Sequence, residues 1–183
     1  YCFDNRKLFL ALSRITNDNA QGEYYLTDVI GLLKTAGDGV QGYCTDDPDE
    51  AFGVNDRAAL AEAARRMRNR IAEKHLLNGV TIVDPSATYI DAQVEIGPDT
   101  ILYPGTMLRG NTRIGTGCVI GPNSDIKDSV VSDGASVRHS VLDGAAVGAG
   151  AAVGPFAHLR PGARIGGDVK IGNFVEIKNS DIG

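Results

Sequence analysis

The sequence predicts a composite chain: a mixed α/β segment, a long connecting α-helix, and a parallel β-helix built from hexapeptide repeats. Three observations carry this reading. Glycine makes up 23 of 183 residues, and sixteen of the 23 lie beyond Val80, so the two halves are built differently. An aliphatic residue recurs every six positions from Ile90 onward. Between Asp56 and Asn78 neither Gly nor Pro interrupts a helical run.

The repeat is the most specific of the three. Ile90, Ile96, Leu102, Leu108, Ile114, Ile120 and Ile126 keep an unbroken step of six. Val131, Val137, Leu142 and Val147 follow at five or six residues, and Val153, Leu159, Ile165, Ile171 and Ile177 restore the strict period. Four residues after many of these stands a small or β-branched residue, as at Thr100, Thr106, Thr112, Cys118, Ser124, Ala157 and Ala163. A step of six fits neither the 3.6 spacing of a helix nor the alternation of a sandwich strand. It fits one flat face plus one corner, with three faces closing a coil of about 18 residues. The aliphatic then points inward and stacks on its counterpart one coil on, and the small residue fills the tighter interior near the corner. Gly, which often follows the aliphatic, is expected to supply turn conformations that side chains resist. Ile90 to Gly183 should make about five coils.

The long helix is expected over residues 56–78, with Asn55 or Asp56 as its cap and Gly79 as its end. Its apolar stripe is narrow: Leu60, Ala64, Met67 and Ile71, with His75 next and read as surface. Arg65, Arg66, Arg68 and Arg70 read as a solvated face. Residues 1–54 read as mixed α and β. Arg6 to Ile15 has helical spacing, Thr27 and Asp28 can cap a second short helix that ends near Gly37, and Tyr1–Asp4 and Gln41–Cys44 read as short strands. About 55 residues are marginal for an independent domain, so this segment reads as the tail of a larger α/β domain. Both termini read as cut.

Composition excludes some functions. A formal net charge of −5 argues against binding nucleic acid through its phosphates. No stretch approaches the roughly 18 apolar residues of a membrane span. Three scattered cysteines suit a reducing compartment, so the chain reads as cytoplasmic.

Several stretches carry a more specific signal. They are residues 17–28 (NDNAQGEYYLTD), 53–57 (GVNDR), 78–81 (NGVT), 154–156 (GPF), 159–163 (LRPGA) and 171–178 (IGNFVEIK). In order and approximate spacing the chain resembles the family of bacterial bifunctional N-acetylglucosamine-1-phosphate uridyltransferase/glucosamine-1-phosphate acetyltransferases. The resemblance implies a nucleotidyltransferase α/β domain ending at residue 55, a linker helix over 56–79, and a left-handed β-helix acetyltransferase domain over 80–183. The hand comes from the resemblance alone, since crossovers between parallel strands are otherwise right-handed. It also implies acetylation of glucosamine 1-phosphate by acetyl-CoA, then uridylyl transfer from UTP to N-acetylglucosamine 1-phosphate with Mg²⁺, in a homotrimer. Membranes and nucleic acids are not expected partners.

Site residues follow from the same resemblance. Asn55 matches an asparagine that helps hold the catalytic metal, and an amide oxygen suits Mg²⁺; from the residues alone it is a helix cap. Tyr25 and Thr27 match positions lining the sugar pocket, or are ordinary packing and capping. Arg160 and Lys178 match the basic pair that grips the sugar phosphate. They follow Leu159 and Ile177 directly and lie 18 residues apart, so they should stack on one face about 5 Å apart. A guanidinium fork beside an ammonium suits a phosphate, although two solvated charges would give the same pattern. His139 and His158 read as structural, and Cys118 as interior. The resemblance places the Gly-rich nucleotide loop before Tyr1 and the catalytic histidine beyond Gly183, so the 183 residues alone are expected to catalyse neither reaction. The alternatives are another sugar-1-phosphate nucleotidyltransferase with a regulatory β-helix, and a trimerising structural module.

Overall fold

The structure, a computed structural model, describes residues 1–183 and divides into two compact units, residues 1–51 and residues 52–183. In the first, α1 (Asn5–Leu12) packs on α2 (Asp28–Thr35), and a short 3-10 turn covers Pro48–Ala51. Asp4 caps α1 by accepting a hydrogen bond from the Lys7 N–H at 3.1 Å. Ala11 and Val29 are its buried apolar side chains. Lys7 forms an ion pair with Asp38.

Three expectations change here. The first helix stops at Leu12, because Ser13 closes it by bonding its own hydroxyl to the Leu10 carbonyl at 2.9 Å. Thr27 makes no side-chain cap on α2. Tyr1–Asp4 and Gln41–Cys44 are not strands. A strand needs a partner for its backbone groups, and none pairs with these segments; Tyr43 is 90% exposed.

In the second unit α3 (Arg57–Leu77) starts at Asp56, whose carboxylate accepts from the Ala59 N–H at 2.7 Å. Its 21 residues span about 32 Å. Only the last third of the helix is buried. Ala72 and His75 pack against the first coil, whereas Leu60 and Met67 are more than half exposed. His75 is therefore interior and not surface, and burial, helped by the charge of Lys74, pushes its pKa down. On the other side Glu62 joins Arg65 and Arg66, Arg66 lies over the Phe52 ring, and Arg68 over the Tyr89 ring.

From Thr81 eighteen short strands, β1 (Thr81–Ile82) to β18 (Asp181–Ile182), wind into three six-stranded parallel sheets. Every strand pairs with the strand three places on, so successive strands pass from sheet to sheet around a prism. The sheet that matters below contains β2 (Tyr89–Ile90), β5 (Met107–Arg109), β8 (Asp125–Lys127), β11 (Val141–Asp143), β14 (His158–Leu159) and β17 (Glu176–Ile177). The periodic aliphatics line the inside; Leu102, Leu108, Ile120, Ile126, Leu142 and Leu159 are fully buried. Each such side chain contributes about 1.5–3 kcal/mol through burial. The small residues sit at the corners as expected. Interior hydroxyls bond to backbone, as Thr100 does to the Gly115 carbonyl at 2.8 Å, and no buried side-chain polar atom lacks a partner.

The eighteen strands make six coils, and the sixteen periodic aliphatics from Ile90 to Ile177 fall on β2 to β17. The first strand escapes the period because the step from Ile82 to Ile90 is eight residues. A 3-10 turn over Pro85–Ala87, capped by Asp84, occupies that corner and hides the repeat. The glycines after aliphatics divide between two tasks. Gly121 and Gly154 have φ of 95° and 99°, the turn conformation expected of them. Gly97 and Gly148 do not have positive φ; a Cβ there would come within 2.7 Å and 2.6 Å of the backbone of the next coil, so they permit close stacking. Other left-handed corners fall on residues such as Asn123, His139, Phe156 and Phe174.

Candidate functional site

β14 and β17 pair with Leu159 beside Ile177 and His158 beside Glu176. Leu159 and Ile177 are buried, which turns their neighbours outward. The backbone N–H of Arg160 donates to the Ile177 carbonyl at 2.8 Å, continuing the ladder past the strand end. Arg160 and Lys178 therefore stand at the same corner of consecutive coils. The register required by a shared phosphate site is present, because the 18-residue spacing equals one coil.

The basic pair has an acidic companion that the sequence reading missed. Arg160 Nη1 donates to Glu176 Oε1 at 2.7 Å, and the hydrogen bond and charge of Arg160 hold the Glu176 carboxyl below its usual range. His158 and Lys178 add to that effect by their charge. Lys178 is exposed and makes no ion pair. The signal was available: a base directly after one aliphatic and an acid directly before the aliphatic one coil on lie 16 residues apart across neighbouring strands.

The same figure recurs three strands down the sheet. Arg109 donates from Nε and Nη2 to both oxygens of Asp125, at 2.9 and 2.6 Å, and Lys127 occupies the place of Lys178. In place of His158 stands Met107, and Lys127 lies 3.8 Å from Asp128 where the upper site has Asn179.

On the adjoining corner Phe156 and Phe174 stack with ring centroids 5.5 Å apart, and His139 sits 5.6 Å below Phe156. His139 thus packs against Phe156 with its ring tilted by 40°, whereas His158 is an exposed side chain beside Glu176. Cys118 is interior, and burial raises its thiol pKa.

The other expected site residues are not gathered. Tyr25 is half-buried and Thr27 exposed, both within residues 1–51. Neither lines the open cleft of about 820 Å³ bordered in that unit by Tyr1, Phe3, Lys7, Ile30, Leu33 and Val40. Asn55 is exposed, and the helix cap it was weighed for is taken by Asp56. No group of three or more His, Cys, Asp or Glu side chains is placed to hold a metal. One amide oxygen does not make a Mg²⁺ site, which needs several hard oxygens in octahedral order, so the residues of this chain do not by themselves fit the ion. No helix is long and apolar enough to cross a membrane.

Comparison with known proteins decides the family. The family profile described as the GMPPB C-terminal domain matches residues 77–182. The chain belongs to this family. It is also 55% identical over 148 residues to the bifunctional protein GlmU of Geobacillus sp. strain WCH70, and 52% identical over 142 residues to that of Brevibacillus brevis. These alignments cover 81% and 78% of this chain but 32% and 31% of the relatives, so the chain spans about a third of their length. The resemblance carried by the motifs thus agrees with the relatives found.

Among solved structures, the acetyltransferase domain of PglB from Neisseria gonorrhoeae matches with a TM-score of 0.54 and 16% identity, over 66% of this chain and 60% of that one. A mutant of GDP-perosamine N-acetyl transferase from Caulobacter crescentus, in complex with CoA and GDP-perosamine, matches with a TM-score of 0.52 and 20% identity, over 65% and 60%. At such identities the likeness shows the fold alone, a parallel β-helix of the kind the hexapeptide pattern implies.

Proposed function

We propose that this chain is part of a bifunctional enzyme of UDP-N-acetylglucosamine synthesis, which acetylates glucosamine 1-phosphate with acetyl-CoA and then transfers uridylyl from UTP to N-acetylglucosamine 1-phosphate. The observation that carries the reading is the 55% identity over 148 residues to bifunctional GlmU proteins. In this reading residues 80–183 belong to the acetyltransferase domain, residues 56–79 are the linker, and residues 1–55 close the nucleotidyltransferase domain.

The β-helix supplies a rigid corner for a sugar phosphate. Arg160 offers a planar fork and Lys178 a mobile point charge, one strand spacing of about 4.8 Å apart. Two cations there neutralise a phosphate monoester and orient the sugar amine toward the acetyl donor. None of the chain's residues is assigned the base that deprotonates that amine. Acetyl-CoA as donor is supported by the CoA and acetyl-CoA held by the structural relatives. Magnesium, with Asn55 as one ligand, Tyr25 and Thr27 at the sugar, a homotrimeric assembly and a cytoplasmic location belong to the same reading.

The test is made on the full-length protein, supplied with glucosamine 1-phosphate, acetyl-CoA and UTP. Formation of UDP-N-acetylglucosamine is expected, and its absence from well-folded protein rejects the reading. Arg160→Ala should lower acetylation by more than tenfold, roughly 1.4 kcal/mol or more, and leave uridylyl transfer intact.

The family profile favours one alternative, since its description names a C-terminal domain and no transfer reaction. There the β-helix is a regulatory tail of another sugar-1-phosphate nucleotidyltransferase. Unchanged acetylation in Arg160→Ala, or none in the parent, supports it.

A further inference from the structure

Glu176 poses a problem for any phosphate placed between Arg160 and Lys178. Its carboxylate already accepts from the Arg160 guanidinium at 2.7 Å. A phosphate that enters beside it meets a like charge and must share the same donors. Arg160 can turn fully to phosphate only if something else takes up the Glu176 charge.

His158 is placed to do so. It stands directly opposite Glu176 on the neighbouring strand, with both side chains on the outward face and both exposed. Strand neighbours on one face lie within about 5 Å. From β17 the groups facing it are Glu176 and Lys178. From its own strand end it has Arg160, and from β11 it meets uncharged Val141, with Asp143 at the corner level with Arg160. Imidazole is the one side chain of this set whose ordinary titration crosses neutral pH.

The lower copy of the figure is a built-in control. There Met107 replaces the histidine, and Arg109 is spent on both oxygens of Asp125. Asp91, Asp125 and Asp128 surround two cations, so carboxylates outnumber bases. In the upper copy Asp143 and Glu176 are balanced by Arg160 and Lys178, and His158 tips the sum positive when protonated.

We infer that His158 is a positioning residue of the phosphate site: its protonated imidazole takes the Glu176 carboxylate when a phosphate monoester engages Arg160 and Lys178. The proton comes from solvent, so binding takes up a proton as pH rises past neutral. This rests on the phosphate reading of Arg160 and Lys178 given above.

The experiment is calorimetric binding of glucosamine 1-phosphate to the full-length protein between pH 5.5 and 8.5 at constant ionic strength. Wild type is compared with His158→Gln, His158→Lys and Arg160→Gln, and each titration is run in two buffers to count protons. The ligand's own ionisation is common to all four. Across that range wild type should lose about three- to fivefold more affinity than His158→Gln, the size of an exposed ion pair. His158→Lys should keep the acidic-pH affinity at pH 8.5, and proton uptake should vanish in both His158 variants. Parallel profiles and equal proton counts for wild type and His158→Gln, with Arg160→Gln still weakened, overturn the assignment of His158 alone. Arg160→Gln that binds as tightly as wild type overturns the phosphate site itself.

Discussion

Arg109 and Arg160 occupy equivalent corners three strands apart in one sheet, each following a fully buried leucine and each facing a carboxylate one coil on. The two sites nevertheless have different prospects. Arg109 is held by two hydrogen bonds to Asp125, and Lys127 has Asp128 beside it. Arg160 uses a single guanidinium nitrogen on Glu176, and Lys178 makes no ion pair. The lower figure is closed surface electrostatics, and the upper one retains donors for a ligand. A repeat protein carries such figures many times over, because its geometry places residues 16 and 18 apart together at every coil. What marks a site is which donors remain uncommitted.

The comparison can be broken at several levels. The largest effect is expected inside the prism, where the two sites should not differ. Leu108→Ala and Leu159→Ala each remove a fully buried side chain and should each cost about 2–5 kcal/mol. Chemical denaturation measures both, and a difference beyond about 1.5 kcal/mol would mean the coils are not equivalent supports. Next, Arg109→Ala should leave glucosamine 1-phosphate binding unchanged and cost at most about 1 kcal/mol of stability, as exposed pairs do. Any binding loss there would erase the distinction between the two figures. The smallest effect is a pH dependence. The Glu176 carboxyl is held below its ordinary value, so its pairing stabilises the fold above the unfolded pKa near 4.5 and is lost as pH falls through the lower folded value. Glu176→Gln should flatten the stability–pH curve below about pH 4.5 relative to wild type. Identical curves would show that the pair contributes nothing to folding.

Much of the β-helix was legible because its period is covalent. An aliphatic every six residues leaves one way to bury the whole series, and Arg160 and Lys178 fall together as a consequence. The first strand was hidden because the 3-10 turn at Pro85 adds two residues to the step between Ile82 and Ile90. The burial of His75 was not legible either. A narrow stripe on α3 does not say that its last turns, and not Leu60 or Met67, meet the prism. The α/β segment was least legible, since Gln41–Cys44 has strand-forming residues but no strand to pair with.

The sequence by itself determined the repeat, the coil length, the inward columns and the alignment of Arg160 with Lys178, because all of these follow from spacing along one chain. Only the tertiary structure decided that Glu176 pairs with Arg160, that His158 faces Glu176, and that Arg109 holds both oxygens of Asp125. Side-chain pairing depends on distances and hydrogen-bond geometry across the strand gap, which residue spacing alone does not fix.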